Sequence, residues 1–312
     1  MKYVRLGRTG LEVSVAGLGC GGHSRLGLAT GHDEAHAANL VAAAIDLGIN
    51  FIDTARAYGT EAAVAAAIRG RRDRVVLSSK ASPGWGDELV SAAGLRESLE
   101  KSLRRLDTDY IDVFHLHGVT AAQYRYCINE LLPELQRQQQ AGRIRFLGIT
   151  ERFVSDTGHA MLAESLVEDY FDVVMVGHNL LNPSARARVF PLTQQHDVGT
   201  LIMFAVRRAL THADAAREVV SALIADGQVA ADAVDARDPL RFLTQHPEVA
   251  SLTEAAYRFC RHEPGADVIL TGTGNIDHLR ANVGAILAPP LPAAVLETLE
   301  RIFGCVDSVS GN

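Results

Sequence analysis

Asn50-Phe51-Ile52-Asp53-Thr54-Ala55-Arg56-Ala57-Tyr58-Gly59, then an alanine-rich segment, then Val75-Val76-Leu77-Ser78-Ser79-Lys80, sets the pattern of the whole chain. A short apolar run (Asn50–Ile52) gives way to a loop, a helical stretch and a second apolar run (Val75–Ser79). Continuous apolarity, without polar alternation, suits strands covered on both faces, as in a parallel sheet. The rhythm recurs in both directions. Val15–Leu18 precedes this stretch, and Tyr110–His115, Ile144–Ile149, Val173–Val176, Leu201–Phe204 and Val268–Leu270 follow it, which makes eight strands.

Helices fill the gaps. Asp33 caps a helix whose apolar residues Ala37, Leu40, Val41 and Ala44 follow helical spacing up to Gly48. Leu95, Leu99, Leu103 and Leu106 mark the core face of another. Further helices are expected over Tyr126–Gln140, Ser155–Leu166, Ala185–Gln195, Thr253–Arg261 and Ile276–Ile286, with a terminal one over Ala293–Phe303. Eight strands alternating with such helices predict an α/β fold, a single (β/α)8 TIM barrel. Two pieces stand outside the eightfold pattern. Tyr3–Leu6 and Leu11–Val13, joined by Gly7-Arg8-Thr9-Gly10, read as an N-terminal β-hairpin plug. Thr211–Leu252 reads as a long loop and helical insertion after strand 7, with a helix over Ala215–Ala225, of the kind that sits above a barrel's active face. No composition break divides the chain, so residues 1–312 are expected to form one domain.

Composition narrows the function. Lys and Arg number 30 against 37 Asp and Glu, a net charge of −7, which excludes a nucleic-acid binder held by a basic stripe. No apolar run approaches the ~18 residues of a membrane span, and Met1–Arg8 leads into no apolar leader core. Cys20, Cys127, Cys260 and Cys305 lie far apart without metal-ligand spacing. They read as reduced thiols of a cytoplasmic protein with no metal.

In a barrel, chemistry belongs at the C-terminal strand ends. Strand 2 ends at Asp53 with Tyr58 in the loop beyond, strand 3 ends at Lys80, and strand 4 leads to His115-Leu116-His117. A buried lysine needs a carboxylate to stay charged, and Asp53 on the neighbouring strand supplies it. The ammonium is then expected to lower the pKa of the Tyr58 phenol from ~10, making it a general acid. His117 is placed to orient a substrate oxygen. His115 shares its side of the strand, so one of the two suffices. Each residue alone has a plain structural reading: a turn Asp, a packed Tyr, a solvated Lys. Their convergence at three successive strand ends does not.

With these segments the chain resembles the aldo-keto reductases. Leu6–Ser14, Asn50–Gly59, Lys101–Leu106, Asp109–His117, Gly142–Arg145 and Gly272-Thr273-Gly274 through His278-Leu279 to Asn282 carry the likeness, which is looser from Thr150 to Leu252. The resemblance implies a barrel that binds NADP(H) across its strand C-termini and exchanges hydride with a carbonyl or alcohol. It implies a catalytic tetrad of Asp53, Tyr58, Lys80 and His117. The cofactor side departs from the family pattern. Where members hold the carboxamide with Ser, Asn and Gln, this chain has Thr150, Glu151 and Met175. Phe204 takes the place of the aromatic that stacks on the nicotinamide, and Arg207 in the turn beyond is placed to pair with the pyrophosphate. Around the 2′-phosphate stand Gly272, Thr273, His278 and Asn282, without the usual Lys and Arg; NADP(H) is expected, with NAD(H) not excluded. Gly21, in the glycine-rich turn Gly19-Cys20-Gly21-Gly22, lets a ring approach the backbone. Trp85, in the loop Ala81–Asp87, and Arg56 are expected in the substrate pocket. His23, His178 and Glu151 would add polarity suited to a small polar or sugar-like substrate.

Two rival readings remain open from sequence: a cofactor-binding sensor or regulatory subunit with little turnover, and an aldolase-like Schiff base at Lys80. Oligomeric state is not legible.

Overall fold

Eight parallel strands close on themselves: β1 (Ala16–Gly19), β2 (Phe51–Asp53), β3 (Val76–Ala81), β4 (Ile111–Val119), β5 (Ile144–Glu151), β6 (Val173–Gly177), β7 (Gly199–Met203) and β8 (Val268–Thr271). They pair in sequence order, and β8 closes the ring onto β1. This computed structural model describes residues 1–86 and 88–312; Asp87, at the end of the loop singled out above, lies outside the described residues.

All eight expected strands are present, shifted at their ends. The largest change is in β4 and β5, which run on to Val119 and Glu151. The Thr150 hydroxyl accepts from the Gly118 N–H at 2.7 Å, bridging the bulge where the β4–β5 register shifts. The residues beyond His115 and Ile149 therefore sit on the sheet instead of in loops.

Helices follow their periodicity, with three local exceptions. The expected Tyr126–Gln140 helix starts earlier, at Ala121, and contains a π turn over Cys127–Leu131 before Leu132–Gln140. Pro133 has no N–H to give to the preceding turn, which accounts for the changed bonding there. The expected Ser155–Leu166 helix begins only at Ala160, because His159 is left-handed (φ 63°) and the Asp156 carboxylate caps Ala160 and Met161. The expected Ala185–Gln195 helix breaks at Val189 into Ala185–Arg188 and Phe190–Gln195, just ahead of Pro191.

Tyr3–Arg5 pairs antiparallel with Glu12–Ser14. Leu6, Leu11 and Val13 from this hairpin cluster with Phe51, Val76, Val113 and Leu201 of the barrel. Gly7 (φ 46°) lies so close to the Gly199 backbone, at the start of β7, that a Cβ would collide with it. The long segment after β7 carries helices Ala213–Ala225 and Arg241–Thr244. Thr211, His212 and Ser251, at its two ends, reach the cavity at the strand C-termini.

Candidate active site

The cavity measures about 1490 Å³ and spans the barrel mouth from Tyr58 and His117 to Gly272 and Asn282. Its chemistry starts with strand register. Asp53 ends β2 opposite Ser78 of β3, so Lys80, two residues on, projects to the same side. Lys80 Nζ lies 2.6 Å from Asp53 Oδ2 and donates to the Thr54 carbonyl at 2.9 Å. Ser78 Oγ donates to Asp53 Oδ1 at 2.7 Å. Both ionic side chains are buried, so each charge depends on the other. Burial works against the Lys80 ammonium, but Asp53 and Tyr58 outweigh it and hold its pKa above the usual value.

Tyr58 ends a short 3-10 turn (Arg56–Tyr58) closed by Gly59 in the left-handed region. Lys80 Nζ sits 5.0 Å from the Tyr58 ring centroid. The phenol oxygen is 3.3 Å from His117 Nε2, with the rings edge-on at 5.6 Å. Gly21 makes room for this ring, because a Cβ there would lie 2.7 Å from it. The expected acidification of Tyr58 is corrected here. Burial raises the phenol's pKa by more than the nearby ammonium lowers it, so the net shift is upward. Burial, then Lys80 and Arg152, push His117 down to about 3, leaving a neutral imidazole. His115, below it, is also held neutral by burial and Lys80.

This arrangement, a protonated phenol and a neutral imidazole over a lysine–carboxylate pair, is chemically able to deliver one proton to an oxygen and to hold that oxygen in place. A family model described as the aldo/keto reductase family matches residues 17–303. The chain belongs to this family. It is similar to the uncharacterized oxidoreductase YqkF of Bacillus subtilis, 26% identical over 309 residues and 96% of each chain. It is 36% identical to the L-galactose dehydrogenase of Arabidopsis thaliana over 153 residues, 46% of this chain and 47% of that one. The holo form of aldo-keto reductase AKR11C1 from Bacillus halodurans superposes with a TM-score of 0.74 at 26% identity, covering 98% of this chain and 97% of that chain. The fold and the oxidoreductase class follow from these matches.

The residues expected around a cofactor in this aldo-keto reductase gather on the same cavity. Thr150, Glu151, Phe204, Arg207, Gly272 and Thr273 all line it, as do His278 and Asn282. Gly272 packs against β1 so closely that a Cβ would lie 2.7 Å from the Gly19 carbonyl. Asn282 Nδ2 and the Tyr257 hydroxyl both meet Thr271 Oγ1 at 2.9 Å. Phe204 is left-handed (φ 65°), a strained state worth about 1–3 kcal/mol for a bulky residue. The Arg207 guanidinium covers one face of its ring at 3.9 Å, and Phe153 meets it edge-on at 5.3 Å. Arg207 Nε has no hydrogen-bond partner among the described residues, and this largely buried guanidinium makes no ion pair there. These features fit a dinucleotide: an aromatic ring, a guanidinium without an ion pair and a close glycine turn. Among the described residues no group of three His, Cys, Asp or Glu side chains is placed to hold a metal, and no helix is long and apolar enough to cross a membrane.

Two expected substrate contacts are corrected. Arg56 does not line the cavity; it is exposed and donates to Ser98 Oγ at 3.3 Å, because the 3-10 turn that brings Tyr58 inward sends Arg56 to the neighbouring helix. His178 is fully buried behind the strands between the Phe190 and Phe259 rings. Trp85 lines the rim and is 72% exposed, with the Arg152 guanidinium 3.9 Å above its ring. Sequence reading missed Phe153, His159, Gly177 and Tyr257. None sits in a recognisable motif, and a glycine ending β6 was the one available signal of a close approach.

Proposed function

We propose that this oxidoreductase is an NADP(H)-dependent enzyme of the cytoplasm that interconverts a small polar or sugar-like carbonyl compound and its alcohol. The observation that carries the reading is the buried Lys80–Asp53 pair under a Tyr58 hydroxyl that meets His117 Nε2. The cofactor, when bound, supplies or accepts the hydride. Tyr58, protonated by virtue of its raised pKa, donates to the substrate oxygen during reduction and takes the proton back in oxidation. Lys80 limits the rise of the phenol's pKa and so eases proton loss. Neutral His117 offers a hydrogen bond that orients the same oxygen without competing as an acid.

On the cofactor side, Phe204 would hold the nicotinamide ring and Arg207 the pyrophosphate. Thr273, His278 and Asn282, with Gly272 close to the backbone, would surround the adenosine end. The preference for NADP(H) rests on family likeness, since the 2′ end offers His278 in place of a fixed cation. A polar rim containing Trp85, His23 and Arg152 suits a hydroxylated substrate, in keeping with the sugar named for the Arabidopsis relative. Four free thiols suit a reducing compartment.

The test is Tyr58→Phe. General acid catalysis contributes typically 10²–10⁴-fold, so kcat should fall by that order while cofactor affinity holds. Retention of more than about a tenth of turnover refutes the assignment. A kcat/KM for NADH equal to or above that for NADPH overturns the cofactor preference. A regulatory subunit would bind NADPH with no turnover on any carbonyl. The Schiff-base alternative loses support from the geometry, because Lys80 is held as an ammonium between Asp53 and the Thr54 carbonyl.

A further inference from the structure

Glu151 ends β5 at the cavity wall and is 3% exposed. Its Oε1 accepts from the Gly177 N–H at 2.7 Å, and both carboxylate oxygens lie 3.0 Å from His159 Nδ1. The surroundings are built to hold this pair. His159 adopts the left-handed conformation that brings its fully buried ring to Glu151, and that ring stacks on Phe153 at 5.4 Å. Phe153 sits edge-on against Phe204, and Gly177 is bare where a Cβ would enter the Phe153 ring.

The charge of the pair follows from its hydrogen bonds. Burial holds the Glu151 pKa above the usual carboxylate value, while His159 and the Gly177 N–H act the other way and support the ionised form. His159 Nε2 has no partner among the described residues. An imidazolium, or the tautomer protonated at Nε2, would strand a donor in a dry interior, which is costly. The arrangement that strands no donor is a neutral His159 giving its Nδ1–H to an ionised Glu151, for a net charge of −1.

Asp53 and Glu151 are the carboxylates among the described lining residues, and Asp53 is neutralised by Lys80. None of the described lining arginines pairs with Glu151. Arg208 pairs with Glu218, Arg152 lies over Trp85 at the rim, and Arg207 covers Phe204. Glu151 is opposite Val119 in the β4–β5 ladder, one strand from His117. With strands ~4.8 Å apart, Glu151 on β5 stands one strand spacing from β4, which carries His117.

We propose that the Glu151–His159 pair makes this site hold the oxidised, positively charged form of a nicotinamide cofactor in preference to the reduced form. The proposal rests on the nicotinamide-dependent reading above. The two forms differ by one positive charge on the ring and share every phosphate, so contacts at the pyrophosphate and adenosine cancel in their affinity ratio. A unit charge about two strand spacings away (~10 Å), in the effective dielectric of a protein site, changes that ratio on the order of tenfold. Favouring the oxidised form makes the bound couple the stronger reductant.

The experiment measures Kd for NADP+ and for NADPH by titration calorimetry on the full chain, in wild type, Glu151→Gln and His159→Gln. Glu151→Gln keeps shape and polarity but removes the charge. It should raise Kd(NADP+)/Kd(NADPH) about tenfold over wild type. His159→Gln keeps the carboxylate and should leave the ratio within about threefold, even if both affinities weaken together. An unchanged ratio in Glu151→Gln overturns the proposal. So does a tenfold shift toward NADP+ in His159→Gln, which would mean the pair was neutral overall. If Glu151→Gln does not fold, the wild-type ratio decides: tenfold tighter binding of NADPH than of NADP+ overturns the idea, and equal or tighter binding of NADP+ supports it. Wild-type protein that binds neither form refutes the nicotinamide reading itself, a different failure.

Discussion

Replacing Lys80 by methionine separates what the buried ion pair does for stability from what it does for chemistry. Lys80 supplies the ammonium 2.6 Å from Asp53 Oδ2, and both side chains are shielded from water. In Lys80→Met the Asp53 carboxylate keeps its bond from Ser78 Oγ and loses its counter-charge. Breaking one side of a buried pair costs about 3–5 kcal/mol. For 312 residues, an unfolding entropy of ~2.1 cal/mol/K per residue converts that cost to a fall in Tm of roughly 5–8 °C. Adding Asp53→Asn removes the stranded charge and leaves an amide that still accepts from Ser78, so the double variant should recover most of the lost Tm. Activity should not recover. Without the ammonium, the dominant influence left on Tyr58 is burial, which raises its pKa further. Both variants should therefore lose turnover by about 10²–10⁴-fold. Calorimetric melts alongside steady-state carbonyl reduction read both effects. A double variant as unstable as the single one would show that uncompensated charge is not the cause. A double variant that regains activity would remove Lys80 from the mechanism.

Three further outcomes are expected. Gly177→Ala places a methyl in the Phe153 ring, so it should cost about 1–3 kcal/mol in a urea melt and weaken cofactor binding; wild-type values for both would mean that Phe153 moves freely. Arg207→Met should weaken NADPH and NADH alike, by tenfold or more in a fluorescence titration, whereas loss of NADPH alone would place the guanidinium at the 2′ end. Asp267, raised by burial to about 6, contributes stability that is complete below the ordinary carboxylate pKa and lost as pH rises through 6. Asp267→Asn should accordingly be the more stable protein at pH 8, by about 3 kcal/mol, with the difference vanishing near pH 4; parallel pH profiles of Tm for the two proteins would refute this.

Much of the site was legible because of its position. Asp53, Lys80 and His117 lie at or just past the ends of apolar runs, and a parallel barrel places all such ends on one face. Tyr58 was legible because its loop is short. Arg56 failed for the same geometry: residues of one 3-10 turn point in different directions, and spacing alone does not say which faces in. The sign of the Tyr58 shift failed because charge neighbours can be read from register, while desolvation depends on everything packed around the ring.

The sequence by itself determined the barrel, since eight apolar runs interleaved with amphipathic helices have few other ways to bury both faces of each strand. It also pointed to the ion pair, because Lys80 near the end of β3 comes within reach of Asp53 at the end of β2 once the two strands lie side by side. Tertiary structure alone decided the second layer: the Glu151–His159 contact, Phe153 filling the space left by Gly177, and Arg207 resting on Phe204. These join segments whose meeting follows from side-chain packing and from two left-handed residues, His159 and Phe204. No periodicity encodes such contacts, because each depends on the shape of a neighbour contributed by another strand.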